Sequence, residues 1–472
     1  MYRLAKKIFP IYRSITGEGV RETLRILAEE CPFLKIHEML SGTKVFDWEV
    51  PKEWEIREAY IENEQGEKVI DFRQNHLHIV GYSQPLDVWV TREELQTYVY
   101  TQPDQPDVIP YVTSYYEKRS GFCMSQQMMR ALPEGNYHLY IDSAFYDGSM
   151  TWGEIVLPGQ TEEEICFSTN ICHPGMGNNE VSGPCVLTFL AKRLMQQDRR
   201  YTCRFLFLPE TIGSIAYISR HLAQMQKNIR AGFVVTCVGD DRQYSYVSSR
   251  TGDTLADRAL IQILKENCPD YVSYSYLQRG SDERQYCAPG VDLPFCVFCR
   301  SKFHEYKEYH TSADDLSFIS QEGMEHSLQI LLKIVQLLEY NRYYKTTILC
   351  EPQLGRRGLY PTIGQNSQGR TIYELACMGI PSIVLAQNNR ELGHVFAGIS
   401  NGFINLGIGR EQENEAICAT VEWLIRLILG GGRSMIFDIL KRQDYVLIAE
   451  IGVNYYDIAK KESNISIVRV IL

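Results

Sequence analysis

Four loop segments of the sequence concentrate side chains that bind metals or transfer protons. They are residues 172–183 (CHPGMGNNEVSG), 209–214 (PETIGS), 238–241 (VGDD) and 309–315 (YHTSADD). Neutral imidazole and carboxylate are good zinc ligands, and a catalytic zinc takes about three protein ligands and leaves one position for water. A carboxylate beside that water can act as a general base. The sequence therefore predicts a metal site, with His173 and His310 as its best ligand candidates.

Each of these segments follows or precedes a predicted strand. After residue 160, apolar strands such as TCRFLFLPE, AGFVVTCVG and LPFCVFCR alternate with helical stretches such as VLTFLAKRLMQQ. This alternation predicts an α/β fold with a mostly parallel sheet that helices cover on both faces. In such sheets the functional groups lie on loops at the carboxyl ends of the strands. We expect the four segments to meet at that edge.

The chain of 472 residues is too long for one ordinary core. An amphipathic helical start and the strand-helix alternation predict one α/β domain from residues 1–37 and 111–345. Short alternating segments between turn residues predict a small inserted β-rich unit at 38–110. A stretch rich in Pro and Gly marks a linker at 346–361. Residues 362–472 then predict a second, C-terminal α/β unit.

Composition excludes several classes of protein. The chain is 44% hydrophobic and 22% charged, as is typical of globular proteins. A net charge of −10 argues against nucleic acid as a partner, because phosphate recognition needs clustered Lys and Arg. No run approaches the roughly 18 apolar residues of a membrane span, and the start lacks the apolar region of a signal peptide. These features predict a cytoplasmic location.

The fourteen cysteines are scattered along the chain and form no compact disulfide framework. Cys296 and Cys299 have the C-x-x-C spacing of a redox or metal pair. The alternating apolar residues around them favour a buried strand whose thiols belong to the core, and the redox or metal pair stays open as the alternative.

The motifs resemble those of the zinc aminopeptidase family, which also includes glutaminyl cyclases. Its members carry a His at a strand end, an Asp-Asn-x-Ser-Gly loop, a Glu-Glu pair, an Asp ligand and a late His-Thr-x-x-Asp motif, which HTSAD at 310–314 matches. Longer motifs are similar to bacterial polysaccharide-biosynthesis proteins with an aminopeptidase-like domain, and cover residues 1–360. They are ICHPGMGNNEVSGP, LPETIGSIAYI, RGSDERQYCAPGVDLP, EYHTSADDL and CEPQLGRRGLYP. The resemblance implies a zinc-aminopeptidase-like fold.

The bridging carboxylate of the family falls at Asn179, a neutral residue that holds two cations together less well. Glu180, one position later, supplies a carboxylate only if the loop is rearranged. The Glu-Glu pair becomes Glu210-Thr211, and Glu210 is either a general base, which we favour, or a ligand. The resemblance with these departures implies one zinc ion rather than two.

The third acidic ligand of the family falls near Thr236 or Cys237. Asp240 or Asp241 substitutes for it if the strand ends earlier, and both aspartates are otherwise solvated turn residues. We carry Asp240 forward as the metal candidate of this segment.

Residues 281–286 (SDERQY) correspond to a substrate-side loop of the peptidases. Asp282 and Arg284 are candidates for binding a substrate amine or carboxylate, and an internal ion pair that fixes the loop is the alternative. Tyr309 is a candidate for lining the substrate pocket, although clustered aromatic residues are often core.

The C-terminal unit invites a second resemblance. Its helix beginning at Gly369-Arg-Thr-Ile-Tyr-Glu and the strand SIVLAQ resemble the carboxyl-terminal, Rossmann-like half-domain of nucleotide-sugar hydrolases of pseudaminic-acid synthesis. A helix amino terminus suits a diphosphate, which makes Gly369, Thr371 and Glu374 nucleotide-binding candidates; ordinary helix capping is the alternative. Relatives of residues 1–360 generally continue instead into a winged-helix unit.

Three functions remain open from the sequence. The first is a zinc-dependent hydrolase of an amide or peptide-like bond in a small or peptide-like substrate, linked to cell-surface polysaccharide synthesis. The second is a binding or scaffold protein that has the peptidase fold without catalysis, because of Asn179 and the lone Glu210. The third is a sugar-nucleotide-binding protein built on the C-terminal unit. Assembly into a homo-oligomer also stays open.

Overall fold

The computed structural model of this chain describes residues 1–341 and the backbone of five short strands beyond them. The chain divides into two compact units, Met1–Glu339 and Tyr340–Leu472. The helices of the first unit are α1 (Tyr2–Ile8), α2 (Glu18–Glu30), α3 (Arg92–Leu95), α4 (Gln126–Ala131), α5 (Ser182–Leu194), α6 (Ile212–Asn228), α7 (Leu255–Asn267), α8 (Glu283–Tyr286) and α9 (Gln321–Tyr340).

The strands of the first unit form a central sheet, a smaller four-stranded sheet and two short pairs. They are β1 (Lys35–Leu40), β2 (Lys44–Val45), β3 (Trp48–Glu49), β4 (Glu53–Asn63), β5 (Lys68–Asp71), β6 (Leu86–Thr91), β7 (Val99–Tyr100), β8 (Phe122–Cys123), β9 (Asn136–Tyr146), β10 (Ser149–Leu157), β11 (Glu164–Asn170), β12 (Thr202–Leu208), β13 (Ile229–Val235), β14 (Ser245–Val247), β15 (Val272–Tyr274) and β16 (Phe295–Cys299).

The central sheet has eight strands in the order β1-β10-β12-β11-β13-β16-β14-β15. Strands β12, β11, β13 and β16 are parallel neighbours at its centre, whereas β1, β10 and β14 pair with their neighbours on one side or both in antiparallel fashion. Every residue of β11 and β16 is buried, as expected of strands covered on both faces. The predicted α/β fold is confirmed, with a mixed sheet whose central strands are parallel.

Two hydrophobic cores lie on opposite faces of this sheet. One contains residues of α1, α2, α5, α7 and α9, together with the stacked rings of Phe167, Phe205 and Phe233. The other contains residues of α6 and α8. Helices pack on both faces of the sheet. The two large cores therefore fix the positions of the loops at the edge of the sheet.

The C-x-x-C pair belongs to these cores. Cys296 lies in the first core and Cys299 in the second, so their thiols face opposite sides of strand β16. Two thiols on opposite faces of one strand cannot form a redox or metal pair with each other. The preferred interpretation, a buried strand with core thiols, is confirmed.

The β-rich unit is built on the four-stranded antiparallel sheet β5-β4-β9-β6. One of its faces covers a separate small core that contains Ala59, Ile61, Leu139 and Ile141. Strand β9 of this sheet lies beyond residue 110, and half of β1 (residues 38–40) lies inside the predicted 38–110 range yet pairs with β10 of the central sheet. Each sheet is completed by pairing partners that the local sequence pattern does not reveal, and the domain bounds stay a prediction.

The strands described beyond residue 341 are β17 (Ser382–Ala386), β18 (Phe403–Ile408), β19 (Leu447–Ile448), β20 (Glu450–Ile451) and β21 (Arg469–Val470). Strand β17 pairs in parallel with β18, and both were predicted as strands from the segments SIVLAQ and GFINLGIG. The linker 346–361 and the candidates Gly369, Thr371 and Glu374 lie outside the described residues. Among the described residues, no helix combines the length and apolar character needed to cross a membrane.

Candidate active site

The candidate site lies at the carboxyl edge of the central parallel strands. His173 comes three residues after β11 ends, Glu210 two residues after β12 and Cys237 two residues after β13. His310 lies on the long loop that follows β16. Parallel strands end at the same edge of a sheet, so segments far apart in sequence meet there.

His173 is held from behind by Glu180. Its Nδ1 atom contacts Glu180 Oε1, and the second carboxylate oxygen of Glu180 accepts a hydrogen bond from the backbone N–H of Cys172 at 2.8 Å. The side chain of Glu180 is fully buried. This contact leaves Nε2 of His173 facing Glu210, whose Oε2 is 3.7 Å away. A carboxylate on one imidazole nitrogen fixes the ring so that the other nitrogen can serve as a ligand.

A π-helical turn at Gly177–Val181, just before α5, brings Glu180 to this place. π-Turns are rare and occur frequently at functional sites. The carboxylate of Asp314 anchors the turn by accepting the backbone N–H groups of Asn178 at 2.6 Å and Asn179 at 3.1 Å. The turn is the loop rearrangement on which a role for Glu180 depended.

Gly177 begins this turn because no side chain fits there. A Cβ atom at that position would lie 2.3 Å from the carbonyl oxygen of Asp315. The backbone N–H of Gly177 also donates to the carbonyl of Asp314 at 2.7 Å. The HTSAD motif therefore serves the site twice, through His310 and through the turn that Asp314 holds.

His310 faces His173 across the site, with the ring centroids 5.2 Å apart. Its φ of 54° lies in the left-handed region, which is uncommon for a residue with a side chain. The ring of Tyr309 stacks on it at 3.9 Å. Nε2 of His310 is buried and has no hydrogen-bond partner among the residues that the structure describes. A buried imidazole nitrogen without a partner is well suited to bind a metal or substrate.

Tyr111 is a site residue that the sequence did not reveal. Its ring lies 4.9 Å from His173 and 5.2 Å from His310, edge-on to both. The backbone N–H of Tyr111 donates to the carbonyl of His310 at 2.9 Å, and a β-bridge joins Pro110 to Thr311. This residue follows the β-rich stretch and carries no motif, so only the fold brings it to the histidines.

The electrostatics of the two histidines differ. Burial disfavours the charged form of His173, but Cys172 and Glu180 outweigh it, so the pKa of His173 lies well above its usual value. Burial and the neighbouring His173 hold the pKa of His310 well below its usual value. His310 is therefore neutral at neutral pH, which is the form that binds metals, whereas Nε2 of His173 has to release its proton to become a ligand.

Glu210 is a partly buried carboxylate, with 19% of its side chain exposed. Burial raises its pKa, while the positive charges of His173 and Arg284 act in the opposite direction. The backbone N–H of Glu210 donates to the sulfur of Cys172 at 3.2 Å, which fixes the start of its loop. An acid whose pKa is raised towards neutral is suited to accept and return a proton.

Asn179 and Cys237, at or near two acidic positions of the resembled family, contact each other. The thiol of Cys237 lies 3.7 Å from the side-chain oxygen of Asn179. Burial keeps the pKa of Cys237 well above its usual value, so the thiol is neutral. With two neutral groups here, the repulsion between two cations would lack the anionic charge that offsets it.

Asp240, the metal candidate of its segment, is hydrogen-bonded by several groups of the protein. Its carboxylate accepts hydrogen bonds from Asn178 Nδ2 at 2.9 Å, from the N–H and hydroxyl of Ser301 at 3.0 and 2.9 Å, and from Arg242 N at 2.9 Å. A carboxylate with four donors joins loops and has little capacity left for a metal. Asp241 is exposed, as the turn interpretation predicted.

The substrate-side candidates have different positions. Asp282 is fully buried, and its Oδ1 anchors the start of α6 by accepting from Thr211 N at 2.7 Å and Ser214 Oγ at 2.9 Å, while its role towards a substrate stays a prediction. Burial, with the negative charge of Glu210, raises the pKa of Asp282 to about 7.

Arg284 is exposed and donates to Thr211 Oγ1, and its charge lowers the pKa of Glu210. Arg284 and Tyr309 remain beside the site.

Among the residues that the structure describes, two groups of donors at this site could hold a cation. One is Cys172, His173 and Glu180, whose ligand atoms lie within 4.8 Å of one another. The other uses the facing imidazoles of His173 and His310. In the first group, Glu180 contacts Nδ1 of His173 and the Cys172 sulfur accepts the backbone N–H of Glu210, so a metal there would displace existing contacts. The unpartnered Nε2 of His310 fits the second group, which suits one zinc ion.

Comparison with known proteins agrees with the fold. The model of a family described as a domain of unknown function, DUF4910, matches residues 2–341. A Clostridium acetobutylicum protein, provisionally named as a polysaccharide biosynthesis protein with an aminopeptidase-like domain, is 45% identical over 368 residues, 78% of this chain and 84% of that protein. A winged helix-turn-helix model matches residues 342–380. That match covers Gly369, Thr371 and Glu374, whose nucleotide-binding role stays a prediction.

Comparison with solved structures indicates the same fold. A crystal structure from Clostridium acetobutylicum, provisionally described as a peptidase, is 43% identical and covers 77% of this chain and 88% of its own, with a TM-score of 0.71. A zinc aminopeptidase from Bacillus subtilis is 12% identical and covers 71% of this chain and 93% of its own, with a TM-score of 0.54, which shows the fold alone. The chain belongs to the DUF4910 family and has an aminopeptidase-like fold.

Proposed function

We propose that this protein is a zinc-dependent hydrolase that cleaves an amide or peptide-like bond. The observation that carries the proposal is the convergence of His173, His310 and Glu210 at the carboxyl edge of the sheet, with Nε2 of His310 buried and unpartnered among the described residues. The name of the Clostridium acetobutylicum relative supports a setting in polysaccharide synthesis, where amide bonds occur on amino sugars and peptide-linked sugars.

Each residue of the site would have a separate role in this hydrolysis. His173 and His310 would hold one zinc ion, and Asn179 stays a candidate third ligand through its amide oxygen. Zinc, when bound, polarises a carbonyl and lowers the pKa of a bound water to about 7. Glu180 fixes the ring of His173 from behind. Glu210 accepts the proton of the attacking water and returns it to the leaving nitrogen.

Further groups shape the space in front of the histidines. The edge-on ring of Tyr111 and the stacked ring of Tyr309 border the imidazoles and limit the access of water. Arg284 places a positive charge at the exposed side, close enough to Glu210 to lower its pKa. This charge favours a substrate that carries a carboxylate near the scissile bond.

A second candidate function is a binding protein with this fold and without catalysis. It is favoured by the neutral contact between Asn179 and Cys237 where the resembled family has acidic ligands. Such a protein would bind amides or their analogues at the same histidines. It would not turn them over.

The test is hydrolysis by the full chain loaded with zinc. Aminoacyl p-nitroanilides, N-acetylated amino sugars and short peptides linked to amino sugars are the substrates, and chelated protein is the control. We expect release of product from at least one class, lost on chelation and restored by zinc. Binding of these amides without release of product from any class would contradict the hydrolase and support the binding protein.

A further inference from the structure

The outer face of the four-stranded sheet carries an unusual set of side chains. Strand register places two rows of residues straight across the four strands. The first row is Asp71, Tyr60, Tyr140 and Asp87, and the second is Lys68, Glu62, His138 and Trp89. The opposite face of the same strands covers the small apolar core. None of the eight residues is aliphatic, so the outer face combines aromatic rings with charged groups.

The aromatic rings of this face form two stacked pairs. Trp89 stacks on His138 with centroids 5.0 Å apart and planes 13° apart. Tyr60 stacks on Tyr140 at 5.1 Å and 29°. Trp89 is nevertheless 56% exposed. An exposed indole of this kind offers a flat apolar surface to a ligand at little further cost in side-chain entropy, because its neighbour already orients it.

Carboxylates flank the rings and keep capacity for further hydrogen bonds. Nδ1 of His138 lies 2.9 Å from Glu62 Oε1, and its Nε2 lies 2.8 Å from Asp87 Oδ1. A carboxylate has about four lone-pair sites, so each of these two acids can accept further hydroxyl groups. The side chain of Asp87 is 73% exposed and lies one strand from the rings of Tyr140 and His138.

We propose that this face binds a neutral oligosaccharide. A sugar ring presents an apolar C–H face, which packs on an aromatic ring, and an edge of hydroxyl groups, which donate to carboxylates. The three inter-strand steps of the sheet span about 14 Å, which is room for more than one sugar unit. The face therefore matches a short segment of glycan chain in both shape and chemistry.

Other partners fit this face less well. A nucleic acid or an acidic glycan would meet three carboxylates, Asp71, Asp87 and Glu62, which outnumber the cationic groups of the two rows, Lys68 and the doubly paired His138. The core of a protein interface is depleted of charged residues, whereas five of these eight residues are charged or, in the case of His138, paired with two carboxylates. The proposal does not depend on zinc or on hydrolysis, because the face belongs to a different sheet from the histidines.

The experiment is calorimetric titration of the full chain with neutral oligosaccharides of glucose, mannose, galactose and N-acetylglucosamine. We expect binding of at least one series, weakened about tenfold or more in Trp89→Ala and in Tyr140→Ala, which is the scale of losing an aromatic anchor. Tyr116→Ala is the matched control, since Tyr116 is 80% exposed and lies outside the two rows, and it should bind as the wild type does.

Asp87→Asn is a second test for the case in which an aromatic variant fails to fold. The side chain of Asp87 is largely exposed, so this variant should fold, and it should also weaken saccharide binding. Absence of binding at millimolar concentration would overturn the proposal, and so would affinity that survives Trp89→Ala and Asp87→Asn. Selective binding of acidic oligosaccharides would overturn the charge argument. Wild-type self-association that Trp89→Ala abolishes, without saccharide binding, would replace the glycan by a protein partner and overturn the proposal as well.

Discussion

Glu210→Gln should lower the rate of hydrolysis by about 100-fold to 10,000-fold while the protein keeps its zinc. The range is that of a general acid-base residue, because glutamine has nearly the same shape and cannot accept the proton. Glu210 Oε2 lies 3.7 Å from Nε2 of His173, so the carboxylate is next to the atom that would hold the metal. Rates on the best substrate and zinc content by mass spectrometry are the measurements.

Glu162→Gln is the matched control for this variant. Glu162 is exposed, pairs with Lys227 and lies just before β11, at the opposite end of the strand from the site. It should hydrolyse at the wild-type rate. If Glu210→Gln keeps full activity, Glu210 is not the base. If it loses its zinc along with activity, Glu210 is a ligand instead, which was the alternative open from the sequence.

His310→Ala should reduce bound zinc from about one ion per chain to nearly none. The imidazole supplies one of only two histidine ligands, and a zinc site needs about three protein ligands. The neighbouring acids do not compensate, because the carboxylates of Asp240 and Asp314 are bound to other donors. Zinc content after dialysis against a weak chelator is the measurement, with activity as a second readout.

Two further variants serve as comparisons for the zinc content of His310→Ala. Glu180→Ala should keep the metal and weaken its affinity by about 10-fold to 100-fold, the usual effect of removing a partner of a ligating histidine. His326→Ala removes an exposed histidine of α9 and should change nothing. Full zinc content in His310→Ala would show that the metal binds elsewhere, and Cys172 with Glu180 would be the first place to look.

The fold was predictable because its signal is repeated along the chain. Continuous apolar strands such as Phe295–Cys299 alternate with amphipathic helices, and each strand-helix unit indicates the same α/β fold. His173 and His310 were predictable for a related reason, since both stand on loops next to strands in motifs with fixed spacing. The structure brings these two side chains to within 5.2 Å between ring centroids.

The rest of the site depends on contacts that have no local signature. Tyr111 reaches the histidines through pairing with the 310–312 loop, about two hundred residues away in the sequence. Glu180 reaches His173 through one extra residue in a helical turn. In the sequence, Asp240 was a candidate metal ligand. In the structure, its carboxylate accepts hydrogen bonds from Asn178 and Ser301, which are distant from it in the sequence.

The most direct test of a single zinc ion between two histidines is anomalous scattering at the zinc absorption edge from crystals of the zinc-loaded full chain. We expect one peak, bonded to Nε2 of His173 and to His310, with Glu180 still on Nδ1 of His173. Two peaks, or one peak bonded to Cys172 and Glu180, would contradict it.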